Sequence, residues 1–115
     1  MTLELIKSFE GLSFYGDIPE TFNEPEEKVE KYQLQETDWL FLNKGFVDPI
    51  NRLCDSTLDY GDVDFFNKDK CILMKSWLKD KLKQELTERE RCLYSRLLDY
   101  TERAISLDTG IVIEL

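Results

Sequence analysis

The side chains with most chemical potential in this chain are its carboxylates, and the densest group of aspartates is Asp55, Asp59, Asp62 and Asp64. Hard cations such as Ca2+ and Mg2+ take several oxygen ligands, so closely spaced aspartates suggest a metal first. The spacing departs from a helix–loop–helix calcium site. Counted from Asp62, the sixth position is Asn67 rather than Gly, and the twelfth is Leu73 rather than Glu. The simpler expectation is that these aspartates form turns and precede a helix whose N-terminus favours anions, with no metal bound. No pair of carboxylates is singled out for acid and base roles, so glycosidase-type chemistry finds no support.

Other chemistries fall away for want of residues. The chain contains no histidine, which removes the commonest general base, the commonest metal ligand and every Ser-His or Cys-His dyad. The cysteines Cys54, Cys71 and Cys92 are odd in number and form no CxxC pair. They read as small core residues in a reducing compartment, neither a disulfide framework nor a zinc set. Gly11, Gly16, Gly45, Gly61 and Gly110 are scattered, so no phosphate-cradling loop is present. The expectation is therefore a protein that is not an enzyme and holds no cofactor.

Charge is the feature left to explain. Residues 1–66 hold five basic and fifteen acidic side chains, whereas residues 67–115 hold ten basic and nine acidic, for −9 overall. A surface of this sign repels nucleic acid and anionic membranes and attracts basic proteins, speeding their association. On the basic side, Lys75, Lys79 and Lys83 recur at helical spacing and are continued by Arg89, Arg91 and Arg96. Asp80, Glu85, Glu88 and Glu90 dilute that stripe, which reads as a solvated helix face or one turned toward the acidic half of its own chain.

The elements that would position these residues can be read from periodicity. Residues 2–9 alternate, Glu10-Gly11 can turn, and Leu12, Phe14 and Tyr15 follow, which predicts an N-terminal β-hairpin ended by Gly16-Asp17-Ile18-Pro19. Residues 19–31 are rich in Glu, with two prolines, and read as an exposed connector or a short acidic helix after Pro25. Thr37 or Asp38 can cap a short helix through Trp39–Leu42, and Asp48-Pro49 suggests an N-cap and first residue of another. Trp39 and Trp77 are expected as core anchors, or as interface hot spots if exposed. Residues 59–66 read as an acidic turn.

The second half is plainer. Asn67 caps a helix whose stripe is Cys71, Met74, Leu78 and Leu82, and Thr87-Glu88-Arg89-Glu90 is a capping box opening a second helix. The short link makes an antiparallel pair. Asp108-Thr109-Gly110 ends it, and Ile111–Leu115 reads as a strand that pairs with the N-terminal hairpin.

The fold expected is thus α+β in a single domain spanning 1–115. The N-terminal β-hairpin pairs with a C-terminal strand (110–115) and packs on the antiparallel helical pair of a 67–107 scaffold, plus one or two short helices. The acidic half, 1–66, is the expected working surface. Its partner-binding candidates are Asp17, Glu20, Glu24, Glu26, Glu27, Glu30, Glu36, Asp55, Asp59, Asp62 and Asp64. The function expected is a small acidic protein-binding module, an inhibitor or immunity-type protein that neutralises a basic protein such as a bacterial toxin. The alternatives are a nucleic-acid mimic, an accessory subunit or a divalent-cation-binding protein. The partner expected is a basic protein, not nucleic acid or membrane, met by a monomer or weak dimer. With no basic leader or long apolar run, the expected compartment is the cytoplasm.

Overall fold

The alternation at the start of the chain does make a strand. In the computed structural model, which describes all 115 residues, β1 (Thr2–Ile6) turns Leu3 and Leu5 to one side of a sheet and Glu4 and Ile6 to the other. β1 is followed by β2 (Phe14–Tyr15), β3 (Ile18–Pro19), β4 (Val29–Gln33), α1 (Glu36–Gly45), α2 (Val47–Cys54), β5 (Val63–Asn67), α3 (Lys68–Leu82), α4 (Glu88–Leu107) and β6 (Gly110–Glu114). The fold is α+β. Its main sheet runs β4-β1-β6-β5 with every pairing antiparallel, and β2 and β3 form a separate small hairpin. The C-terminal strand lies against β1, as expected, pairing Thr2 with Glu114 through Ile6 with Gly110.

Two strands lie where turns and connector were expected. The hairpin partner of β1 is β4, in register from Thr2↔Gln33 to Ile6↔Val29, rather than residues 12–15. The sequence Val29-Glu-Lys-Tyr-Gln33 hides its alternation under charge, which suits a strand at a sheet edge. At the opposite edge, the acidic 59–66 segment continues into β5. Its adjacent phenylalanines divide between the faces, Phe66 buried in the main core and Phe65 packed on the outer side.

The helix signals hold with small displacements. The Asn67 side chain accepts from the Lys70 N–H at 3.0 Å, and Thr87 and Glu90 form the reciprocal capping box, with Thr87 N–H donating to Glu90 at 3.2 Å. At α1 the cap is Gln35, whose N–H donates to Asp38 at 2.9 Å. Asp48 does not cap α2. That helix begins at Val47, directly after Phe46, so Asp48 and Pro49 sit inside its first turn, where proline is tolerated.

α3 and α4 are antiparallel, since Trp77 meets Tyr94 while, further along, Lys75 meets Glu102. They cover one face of the sheet. Leu3, Leu5, Phe66, Ile111 and Ile113 meet Met74, Leu78, Leu97 and Tyr100 there, and each large side chain so buried contributes roughly 1.5–3 kcal/mol. Trp39 and Trp77 are half-buried against this core, Trp77 in an aromatic cluster with Phe46 and Tyr94.

The other sheet face carries a smaller apolar cluster of Ile6, Val29 and Val112, with Phe9, Leu12 and Phe65 packed on it. The chain from Lys7 to Lys28 folds back over this face. It is closed at its base where the N–H groups of Lys7 and Ser8 donate to the Lys28 carbonyl at 2.7 and 3.4 Å. No helix is long and apolar enough to cross a membrane.

Candidate functional site

Several bases of the second half turn toward the first. Along one side of α4, Arg89 donates to Asp38 at 2.9 and 3.0 Å and to the Gln35 side chain at 3.0 Å. Arg96 lies 4.5 Å over the Tyr32 ring. Arg103 grips Glu30 with two bonds, at 2.9 and 3.0 Å. Asp38 is buried, and its hydrogen bonds raise the Arg89 guanidinium above its ordinary pKa. Arg91 donates to the Leu82 and Gln84 carbonyls at the end of α3. Of the lysine stripe, Lys75 pairs with Glu102 and Lys83 with Asp80, each at 3.7 Å.

Among the candidate acids, Glu30 belongs to this internal network. The Arg103 hydrogen bonds, opposed by partial burial, hold its carboxyl down to about 2, with Lys7 adding at 3.4 Å. Asp64 is half-buried. It accepts from the Thr57 N–H at 3.3 Å, and burial raises its carboxyl above the ordinary range. Asp59 is exposed and accepts from the Tyr60 N–H at 2.7 Å. Asp62 is exposed in the turn before β5. No group of three or more Cys, Asp or Glu side chains is gathered to hold a metal ion. Asp55 ends α2 in the left-handed conformation, at φ 52°, a role that aspartate tolerates better than most residues.

The remaining acids stand differently. Asp17 lies in the β2–β3 turn, Glu20 just past β3, Glu26 and Glu27 in the turn before β4, and Glu36 in the first turn of α1, all exposed. Glu24 is half-buried in the connector. None of these six enters an ion pair; the carboxylates that do are Glu30, Asp38, Asp80, Asp99, Glu102 and Asp108.

Exposed aromatic rings lie among the free acids, and sequence reasoning missed them. Tyr15 and Phe22 are 79% and 85% exposed. They flank a groove of about 310 Å3 whose floor includes Ile18, Val63 and Val112 and whose lining includes Glu20 and Glu114. Near the start of β1, Tyr60 packs at a tilt against Trp39 with ring centroids 5.2 Å apart, beside Met1 and Glu36. The available signal at Tyr15 was its place before Gly16-Asp17. Gly16 has φ +61°, which suits the two-residue loop of the tight hairpin that pairs Tyr15 with Ile18.

The thiols are less reactive than their number suggests. Cys71 is fully buried, donates to the Phe66 carbonyl at 3.4 Å, and is pushed up to about 12 by burial. Cys54 is buried too, and burial raises its thiol. Cys92, expected with the other two as a small core residue, is exposed.

Comparison with protein-family models, with curated proteins and with solved structures finds no match.

Proposed function

We propose that this chain is a small acidic protein-binding module, an inhibitor or immunity-type protein that neutralises a basic protein such as a toxin by electrostatic complementarity. The observation that supports this most directly is the division of its charges. Arg89 and Arg103 are taken up by Asp38 and Glu30, while Asp17, Glu20, Glu26, Glu27 and Glu36 are exposed and unpaired. Such a surface attracts a cationic partner from a distance and speeds encounter, an effect that weakens with salt. These acids sit on turns, connectors and a helix start rather than in rows along one rigid element, which gives phosphate mimicry no support.

The test is affinity capture from a lysate of the source organism, comparing the native chain with a variant carrying Asp17→Lys, Glu20→Lys, Glu26→Lys and Glu27→Lys. The native chain is expected to retain a basic protein that the variant does not, and salt is expected to release it. Equal retention by both chains would overturn the reading.

A further inference from the structure

We propose that the groove between Tyr15 and Phe22 is a slot for a lysine or arginine side chain presented by an exposed segment of the basic partner, an inference that rests on the acidic-surface reading above. The groove has two chemistries. Ile18, Val63 and Val112 line it with hydrocarbon, and Glu20 and Glu114 line it with carboxylate. Lysine and arginine carry the same two chemistries in order, an aliphatic stem and a cationic head. The stem covers the apolar lining, and the head meets a ring face of Tyr15 or Phe22 together with a carboxylate. No basic residue lines the groove to compete for that position.

The alternatives fit worse. An acidic side chain meets two carboxylates. A purely apolar one removes Glu20 and Glu114 from water with nothing to pair them. The lining is also held before any partner arrives. Val63 and Glu114 face each other across the β5–β6 pairing. The Glu20 N–H donates to the Ser13 carbonyl at 2.8 Å, and the Lys31 amine donates to the Thr21 carbonyl at 2.8 Å. A backbone frame set in advance lowers the ordering cost of binding, which then falls on the two exposed rings alone.

Tyr15 and Phe22 belong to the excursion between β1 and β4, a connection far longer than a hairpin requires. Ordered loops of that length are commonly functional. Neither ring is needed to cover the sheet, because Phe9 and Leu12 pack on that cluster.

The experiment is an NMR titration of the isotope-labelled full chain at low salt with a synthetic deca-arginine peptide, using a serine–glycine peptide of equal length as control. Amide shifts are expected at Tyr15–Phe22, Val63 and Val112–Glu114. Phe22→Ala is expected to weaken binding about two- to fivefold, the size of an exposed cation–π contact, and Glu20→Lys by at least as much. Both positions are exposed, so the variants keep the fold. Deca-arginine that binds but shifts other acids, or that is indifferent to Phe22→Ala, overturns the slot while leaving the acidic-surface reading intact. Absence of any binding at low salt overturns both.

Discussion

Replacing Glu30 by glutamine separates an acid that holds the fold from acids free to meet a partner. The Arg103 guanidinium reaches both Glu30 oxygens, at 2.9 and 3.0 Å, and Lys7 stands 3.4 Å away. The carboxyl falls from an ordinary 4.5 to about 2. At 1.36 kcal/mol per pH unit, that difference bounds the contribution at about 3 kcal/mol. The Glu30 side chain is 21% exposed and its partner Arg103 39%, so solvent screening brings the figure to about 1–2 kcal/mol. The folded state binds this proton less readily than the unfolded chain. The stabilisation is therefore complete above about pH 4.5 and is lost as pH falls from there through about 2. Urea denaturation followed by tryptophan fluorescence should show Glu30→Gln less stable by about 1–2 kcal/mol at neutral pH, with the gap closing as the native carboxyl is protonated. Arg103 keeps Asp99 at 3.4 Å in the variant, so it is not stranded. A gap unchanged between neutral pH and pH values near 2, or no gap at all, would refute the argument. In the deca-arginine titration, Glu30→Gln should also leave affinity nearly unchanged, unlike Glu20→Lys.

Three further perturbations test the packing. A Cβ on Gly110 would collide with the Phe66 carbonyl and lie 2.6 Å from the Phe65 ring, so Gly110→Ala must push β5 off β6. It should destabilise by about 1–3 kcal/mol or more in urea denaturation, and a neutral result would contradict the close approach. A thiol reagent should modify Cys92 in the native chain and reach Cys54 and Cys71 only after unfolding; modification of Cys71 at the same rate as Cys92 would disprove the packing of α3 on the sheet. Glu4 is only 3% exposed; its Oε2 accepts from the Thr2 hydroxyl at 2.7 Å and its Oε1 has no partner. Replacing it by leucine, beside Val112 on the outer face, should raise the urea midpoint, with a gain of about 1–2 kcal/mol, and a lowered midpoint would show that the carboxyl is satisfied.

Helices and their caps were the most legible part of the sequence, because their signals are local. Asn67 and Thr87-x-x-Glu90 declare their roles within four residues, and the stripe through Cys71, Met74 and Leu78 needs no knowledge of the rest of the chain. Strand pairing is not local. Residues 12–15 lie nearest β1 in sequence and carry the stronger apolar pattern, yet β1 pairs with Val29–Gln33. What decides this is that β4 offers Val29 to the outer cluster and Tyr32 to the main core, while Glu30 finds Arg103 across the layer. None of those partners is visible from the segment itself. The same is true of the candidate acids. Glu30 and Glu27 look alike in an acidic run, and only the fold distinguishes the one gripped by α4 from the one left in water.

The charge asymmetry of the chain can then be divided by physical cause. Asp38 and Glu30 lie between residues 1 and 66 but are complemented by Arg89 and Arg103 from the other half, so part of the imbalance is an artefact of counting along the chain. Asp55 answers to backbone geometry. Glu36, Asp59 and Asp62 stay exposed and outside any ion pair, and so, the half-buried Glu24 aside, does the larger set running from Asp17 to Glu27, carried on an excursion that the β1–β4 pairing does not require. That excursion does have a structural duty, since helices cover one face of the sheet and Ile6, Val29 and Val112 need cover on the other. Phe9 and Leu12 meet that duty, and Phe14 leans on Phe9 with centroids 6.0 Å apart. Tyr15 and Phe22 contribute little to it, and leaving two aromatic rings in water is unfavourable by the same hydrophobic term that buries Phe9. On the proposed reading, the rings exposed beside unpaired carboxylates on this ordered loop serve a cationic side chain of the partner, whereas solubility asks only for the acids.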